Sequence, residues 1–224
     1  LKTKQQQKLL QWNYTPSKAL TLSPAMMTEG TSIDAYRLRP HGEGDQVDVY
    51  FYSHAQNRWT PLKKSVEREQ AIAYVHKFKK IITDVNAGSE GFYLLEHILL
   101  RARAGTTTSD IQEQFADDFY NCRLSFIFPK WTARFANPVF RHFAEKTIAN
   151  HLPAHLFPQI VWLELGEMVQ FENCYKPWLD ALHEYEQQKL VAEVDKITAK
   201  KLDQAAQTLR AWLEQQTPSA AYWI

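Results

Sequence analysis

The sequence predicts a mixed α/β fold, and three observations carry that prediction. The run from Tyr120 to Phe128 (YNCRLSFIF) alternates Tyr120, Cys122, Leu124, Phe126 and Phe128 with Asn121, Arg123 and Ser125, as a strand does. The run LFPQIVWLE, 156–164, is nearly continuously apolar, as a strand covered on both faces is. Between them, Asn137-Pro138 opens a helical pattern, with Asn as the cap and Pro in the first helical position. Strand, helix, strand reads as a βαβ crossover, so the expected architecture is a sandwich with one mixed sheet of about five strands packed by helices.

Taken in order, residues 1–45 predict an irregular extended arm. "LKTKQQQKLLQW" can make a short helix, but Pro16, Pro24, Gly30, Pro40, Gly42 and Gly44 interrupt every longer pattern. The packed domain is expected over 46–183. "VDVYFYS" and "RWTPL" are β-rich strands around a turn at "HAQN", and Ser65 caps a helix that "NAGSEG" ends. Lys77, Lys79 and Lys80 then fall near that helix's end, where its dipole favours cations. "FYLLEHILLR" predicts a strand from Phe92 to Arg101. After the crossover, Phe140, Phe143, Ala144, Thr147 and Ile148 form the buried face of one helix; Met168, Phe171, Tyr175, Trp178, Leu179 and Leu182 form that of another, kinked or restarted at Pro177. Residues 184–224 predict a long C-terminal helix and tail, whose apolar stripe packs on its own domain or docks, with the arm, onto neighbouring subunits.

Composition narrows the function classes. The chain has 224 residues, 45% apolar and 13% aromatic with seven Trp, and a net charge of +1. That balance argues against a dominant nucleic-acid surface, while the aromatic share leans towards an assembly component. No run approaches the roughly 20 apolar residues of a membrane helix, and no signal-peptide pattern opens the chain, so no membrane insertion is expected. The chain begins at Leu1 rather than Met, as a piece of a longer polypeptide would. Cys122 and Cys174 read as free buried thiols in a strand and a helix, which suits a reducing compartment.

Candidate chemistry is sparse. No glycine-rich loop follows any strand, so neither a phosphate cradle nor a dinucleotide fingerprint is present, and no cofactor is expected. Glu96-His97 is the best acid/base pair, the basis for the alternative of a small hydrolase, with or without a metal. Neighbours on a strand point to opposite faces, however, which favours a buried polar clamp with Glu96 paired to Arg101, Arg123 or another Arg. His142, His151, His155, Cys122 and Cys174 lack the short spacing of a metal site, and none is expected there.

Three longer fragments carry a resemblance. They are "GFYLLEHILLR" with Glu96, His97 and Arg101; "FPKWTARFANPVFRHFAEKTI" with Trp131, Arg134, Phe135, Arg141 and Glu145; and "LPAHLFPQIVWLELGEMVQFENCYKPWL" with His155, Trp162, Phe171 and Trp178. In order and spacing, over about residues 47–180, this stretch resembles the C-terminal region of baseplate proteins of extracellular contractile injection systems, the phage-tail-like particles of bacteria. These in turn are similar to the wedge components of contractile phage baseplates. Ala102 departs from the pattern, which has Pro there. The resemblance implies a non-enzymatic structural part, hetero-oligomeric with other baseplate subunits, assembled in the bacterial cytoplasm and then part of an extracellular particle. Its motif residues would be architectural, with Arg134 pairing an acid such as Glu145. An adaptor or cargo-binding module remains the other non-enzymatic reading.

Overall fold

The computed structural model describes residues 23–42, 44–104, 118–191 and 193–216. The expected N-terminal helix, the first 22 residues of the arm and the tail from residue 217 lie outside them. The fold is α/β, but its strands form two three-stranded sheets rather than one sheet of about five. Two compact units result, one from the chain up to Gly91 with Pro129–His142, the other from Phe92–Phe128 with the chain from Phe143 onward. Neither follows the expected boundaries at 46 and 183. The first sheet closes locally through hairpins, whereas the second recruits strands from both sides of a crossover, and sequence order conceals that division.

The first unit begins inside the expected arm. Helix α1 (Pro24–Glu29) is capped by Ser23, whose hydroxyl accepts the Met26 N–H, and has Pro in its first turn. A 3-10 turn at Ile33–Ala35 leads into β1 (Tyr36–Pro40), antiparallel to β2 (Gln46–Ser53), which pairs in turn with β3 (Arg58–Glu67). Residues 23–40 are therefore built into the unit. The punctuating prolines and glycines shorten its elements without preventing them. Glu29 shows why this segment holds its place, since its carboxylate accepts from Ser53 Oγ (3.0 Å), His54 N–H (2.5 Å) and Ala55 N–H (3.1 Å) at the β2–β3 turn.

Ser65 does not cap a helix. It lies in β3 with a left-handed φ of 54°, beside register irregularities in the β2–β3 ladder. Its N–H donates to Asp48 Oδ1 (2.8 Å) and its hydroxyl to Gln46 Oε1. Helix α2 starts later, spans Arg68–Ser89, and buries Ala71, Val75, Phe78 and Ile82. It passes through "NAGS", so Lys77, Lys79 and Lys80 sit in its middle and not in its last turn. Asn86 explains the extra turn: its amide donates to Ile82 O and Met27 O (2.9 Å each), and its oxygen accepts the Ala133 N–H (2.6 Å).

In the second unit β4 (Tyr93–Glu96) pairs antiparallel with β5 (Arg123–Pro129), and β5 lies between β4 and β6 (Phe157–Leu163). Phe157 N–H donates to Cys122 O (2.8 Å), Ser125 meets Gln159 (3.2 Å) and Phe128 stacks on Trp162 (4.5 Å). These contacts advance in the same direction along both strands, so β5 and β6 run parallel and the sheet is mixed. Helix α3 (Pro138–His151) is the crossover, and Asn137 Oδ1 accepts the Val139 N–H (2.9 Å) as its cap. Its expected buried face is not buried: no residue of α3 is fully covered, and Phe143 is 69% exposed.

Strand β5, central in its sheet, is buried on both faces from Ser125 to Pro129, where the sequence pattern suggests one face only. β6 carries the apolar run but is only partly covered. Cys122 precedes β5, exposed and at φ 55°, and Cys174 is half-buried; both thiols are free.

Helix α4 (Leu165–Val191) runs through Pro177 without ending, and α5 (Lys196–Gln216) is the expected long C-terminal helix, starting at 196 because 184–191 belongs to α4. Asp195 starts α5 by accepting the N–H groups of Ile197 and Thr198 (2.8 Å each). Of the expected stripe, Leu209 lies in the core with Ala205 and Trp212 packed against it, beside Leu202, Ala206 and Leu213, whereas Leu190 and Ile197 are 87% and 81% exposed. No helix among the described residues is long and apolar enough to cross a membrane.

Candidate functional site

The strand expected to reach Arg101 stops at Glu96, and His97–Leu100 turns into a 3-10 helix. The change of direction separates the pair. Glu96 is exposed, while His97 is 1% exposed inside the second unit. Its Nδ1 lies 2.8 Å from the Phe119 carbonyl and its Nε2 2.7 Å from Ser125 Oγ, with Ser125 Oγ a further 3.2 Å from Gln159 Oε1. Burial, with Arg123 and Arg210 nearby, lowers its pKa from 6.5 to about 4, so the ring is neutral near pH 7.

Neutrality fixes the direction of the hydrogen bonds. A carbonyl only accepts, so Nδ1 carries the proton and Nε2 must accept from the Ser125 hydroxyl. Ser125 has then no proton left for Gln159, and the Gln159 amide must present its NH₂ to Ser125 instead. The chain Gln159, Ser125, His97, Phe119 joins β6, β5, the 3-10 turn and the segment before β5 in one line.

A hydroxyl 2.7 Å from an imidazole has the spacing of an activated nucleophile. Here the access is missing, because Ser125 is 0% exposed. Nδ1 faces a backbone carbonyl rather than a carboxylate, and a ring with a pKa of about 4 is a weak base. The arrangement holds these four segments together without presenting a reacting group to solvent.

Around it the expected residues take packing roles. Arg101 reaches Asn121 Oδ1 (3.3 Å) and lies 5.7 Å from the Tyr120 ring centroid, so it does not pair Glu96 in the way the sequence suggests. Arg210 of α5 stacks over Phe119 (4.6 Å) and donates to Tyr120 Oη and Glu214 Oε1 (2.8 Å each). Asp203 accepts the N–H groups of Arg103 and Ala104 (2.8 Å each). Phe171 and Trp178 are core residues of α4. Glu145 accepts from Trp162 Nε1 (2.8 Å), so it is not the partner of Arg134, which instead faces Glu90 at 3.4 Å.

The Trp131 segment belongs to the first unit. Trp131 is buried, Phe135 stacks on Phe140 (5.2 Å), and Arg141 donates to the Ala136 carbonyl (3.0 Å). His155 is exposed, as are His142, His151 and Cys122. Among the described residues no three His, Cys, Asp or Glu side chains are gathered so as to hold a metal ion. The motif residues therefore divide between two units.

Sequence reasoning misses Ser125, Gln159 and Asn86, because a single polar residue announces no partner that lies far away in the chain. It also misses Tyr93, whose hydroxyl donates to the buried Glu172 (2.7 Å); burial and that carboxylate raise the phenol's pKa. No protein-family model matches the chain, and no curated protein matches it.

Proposed function

We propose that this chain is a non-enzymatic structural component of the baseplate of a contractile, phage-tail-like injection particle, joining wedge subunits around the central tube. The observation that carries the reading is the ordered run of three motif segments between residues 91 and 179. The chemistry of those segments supports it. Their acid/base pair is split, their imidazole is neutral and enclosed, and Trp131, Phe135, Phe171 and Trp178 are spent on packing. A part that transmits force between subunits requires a firmly pinned interior, and the polar chain through His97 provides such pinning.

Deleting the gene in the producing bacterium tests the proposal. Electron microscopy of the deletion strain should show no complete sheath-and-tube particles, and complementation should restore them. Intact contractile particles in the deletion strain would overturn it.

A further inference from the structure

The two faces of the first sheet differ in kind. On one, Tyr36 meets Phe51 (5.9 Å) and Phe78 of α2 (6.1 Å), and all three are buried. By the strand register, Arg37, Arg39, Tyr50, Tyr52, Trp59 and Pro61 share the opposite face. There Arg37, Arg39, Trp59 and Pro61 are exposed, and Tyr50 and Tyr52 are half-buried. Trp59 lies 4.6 Å from Tyr52 and 6.5 Å from Tyr50, ring centre to ring centre. The Arg39 guanidinium rests over two of these rings, 5.2 Å from Tyr50 and 4.7 Å from Trp59, which fixes its position.

The acids on this face are already engaged. Asp48 stands directly across the ladder from Arg39, yet its carboxylate accepts the Ser65 N–H (2.8 Å) and meets His41 Nδ1 (2.9 Å). Glu67, at the far end of the face, accepts from Gln70 (2.9 Å). Among the described residues Arg39 has neither an ion pair nor a hydrogen bond for its guanidinium. A guanidinium held flat by two rings, with its N–H groups unspent, is a fork set for a carboxylate from outside. Trp, Tyr and Arg are also the residues that carry most of the energy in protein interfaces. We propose that this face docks a protein partner through an Asp or Glu side chain that pairs with Arg39, set among apolar residues that cover Tyr52, Trp59 and Pro61. Single-stranded nucleic acid fits less well. Tyr52 and Trp59 are in contact and leave no slot for a base, Arg39 covers the other rings, and two arginines are few for a phosphate backbone. The inference stands apart from the baseplate reading and survives if that reading fails.

The test places the photo-cross-linker p-benzoylphenylalanine at the exposed position of Pro61, in the full chain expressed in the producing bacterium. Mass spectrometry then identifies what irradiation attaches. The product should be a peptide of another protein that carries Asp or Glu. Arg39→Glu should cut its yield at least about tenfold, and reversing the partner's acid to Lys should restore it. Leu190→Glu, an exposed change in the other unit, should leave the yield unchanged. No cross-link, a cross-link to nucleic acid or to a second copy of this chain, or a yield indifferent to Arg39→Glu would overturn the proposal. So would a loss that no reversal of an acid in the attached peptide restores.

Discussion

Burial of His97 makes the second unit sensitive to acid in a defined window. The folded site holds the neutral ring, with a pKa near 4, whereas the unfolded chain takes up a proton near the ordinary value of about 6.5. Between those values the unfolded state binds more protons. The contribution is therefore complete above about pH 6.5, declines as pH falls, and is gone near pH 4, a loss of about 3 kcal/mol. Imidazole NMR should keep His97 neutral down to about pH 4; a midpoint near 6.5 would refute the enclosed chain. Half of this arrangement is legible in the sequence. Glu96 and His97 do part, one exposed and one buried, but by the end of β4 at Glu96 and the 3-10 turn after it rather than by the alternation of a continuing strand. Ser125 and Gln159 lie 28 and 34 residues away in successive steps along the network, and no local pattern encodes such a meeting.

Helices show where periodicity succeeds and where it misleads. Helical apolar spacing marks Met168, Phe171 and Trp178 of α4 correctly, with Phe171 0% exposed against Tyr93, Tyr175 and Trp212, but it also marks Leu179, which is 43% exposed. The same spacing marks Phe143 in α3, yet that ring faces solvent. Amphipathic spacing says which residues share a side, not whether anything covers it. Phe171→Ala should cost about 3–5 kcal/mol, whereas Phe143→Ala should stay within about 0.5 kcal/mol. Chemical denaturation decides, and a comparable loss at Phe143 would mean that α3 is covered in solution. Helix ends were legible where a cap was local, at Asn137-Pro138. The Asp195-x-x-Thr198 start of α5 offered the same kind of signal, but a continuous run of helix formers hid it. Ser65 misled because its left-handed φ and its bonds to β2 depend on a strand nineteen residues earlier.

For the molecule as a whole, mixed α/β content is readable from the chain, and its partition is not. A hairpin sheet and a crossover sheet share the same local signals, and only long-range packing sorts them. The partition changes what protease should do. β1 is tied to β2 and α5 is buried against the second core, so brief trypsin treatment should spare Arg37, Arg39, Lys200 and Lys201 while the cores persist. Mass spectrometry of early fragments would show cleavage at those residues if the flanks were loose. The interleaving of the units also matters before the protein is finished. On the ribosome the first unit has emerged through Gly91 without Trp131, Phe135 or the Ala133 N–H that Asn86 binds. At synthesis rates of about 5–20 residues per second it waits about 3–10 s for residue 142. β4 and β5 meanwhile wait for β6 and α5. A nascent chain thus holds two incomplete cores at once, and a message truncated after residue 128 yields neither of them.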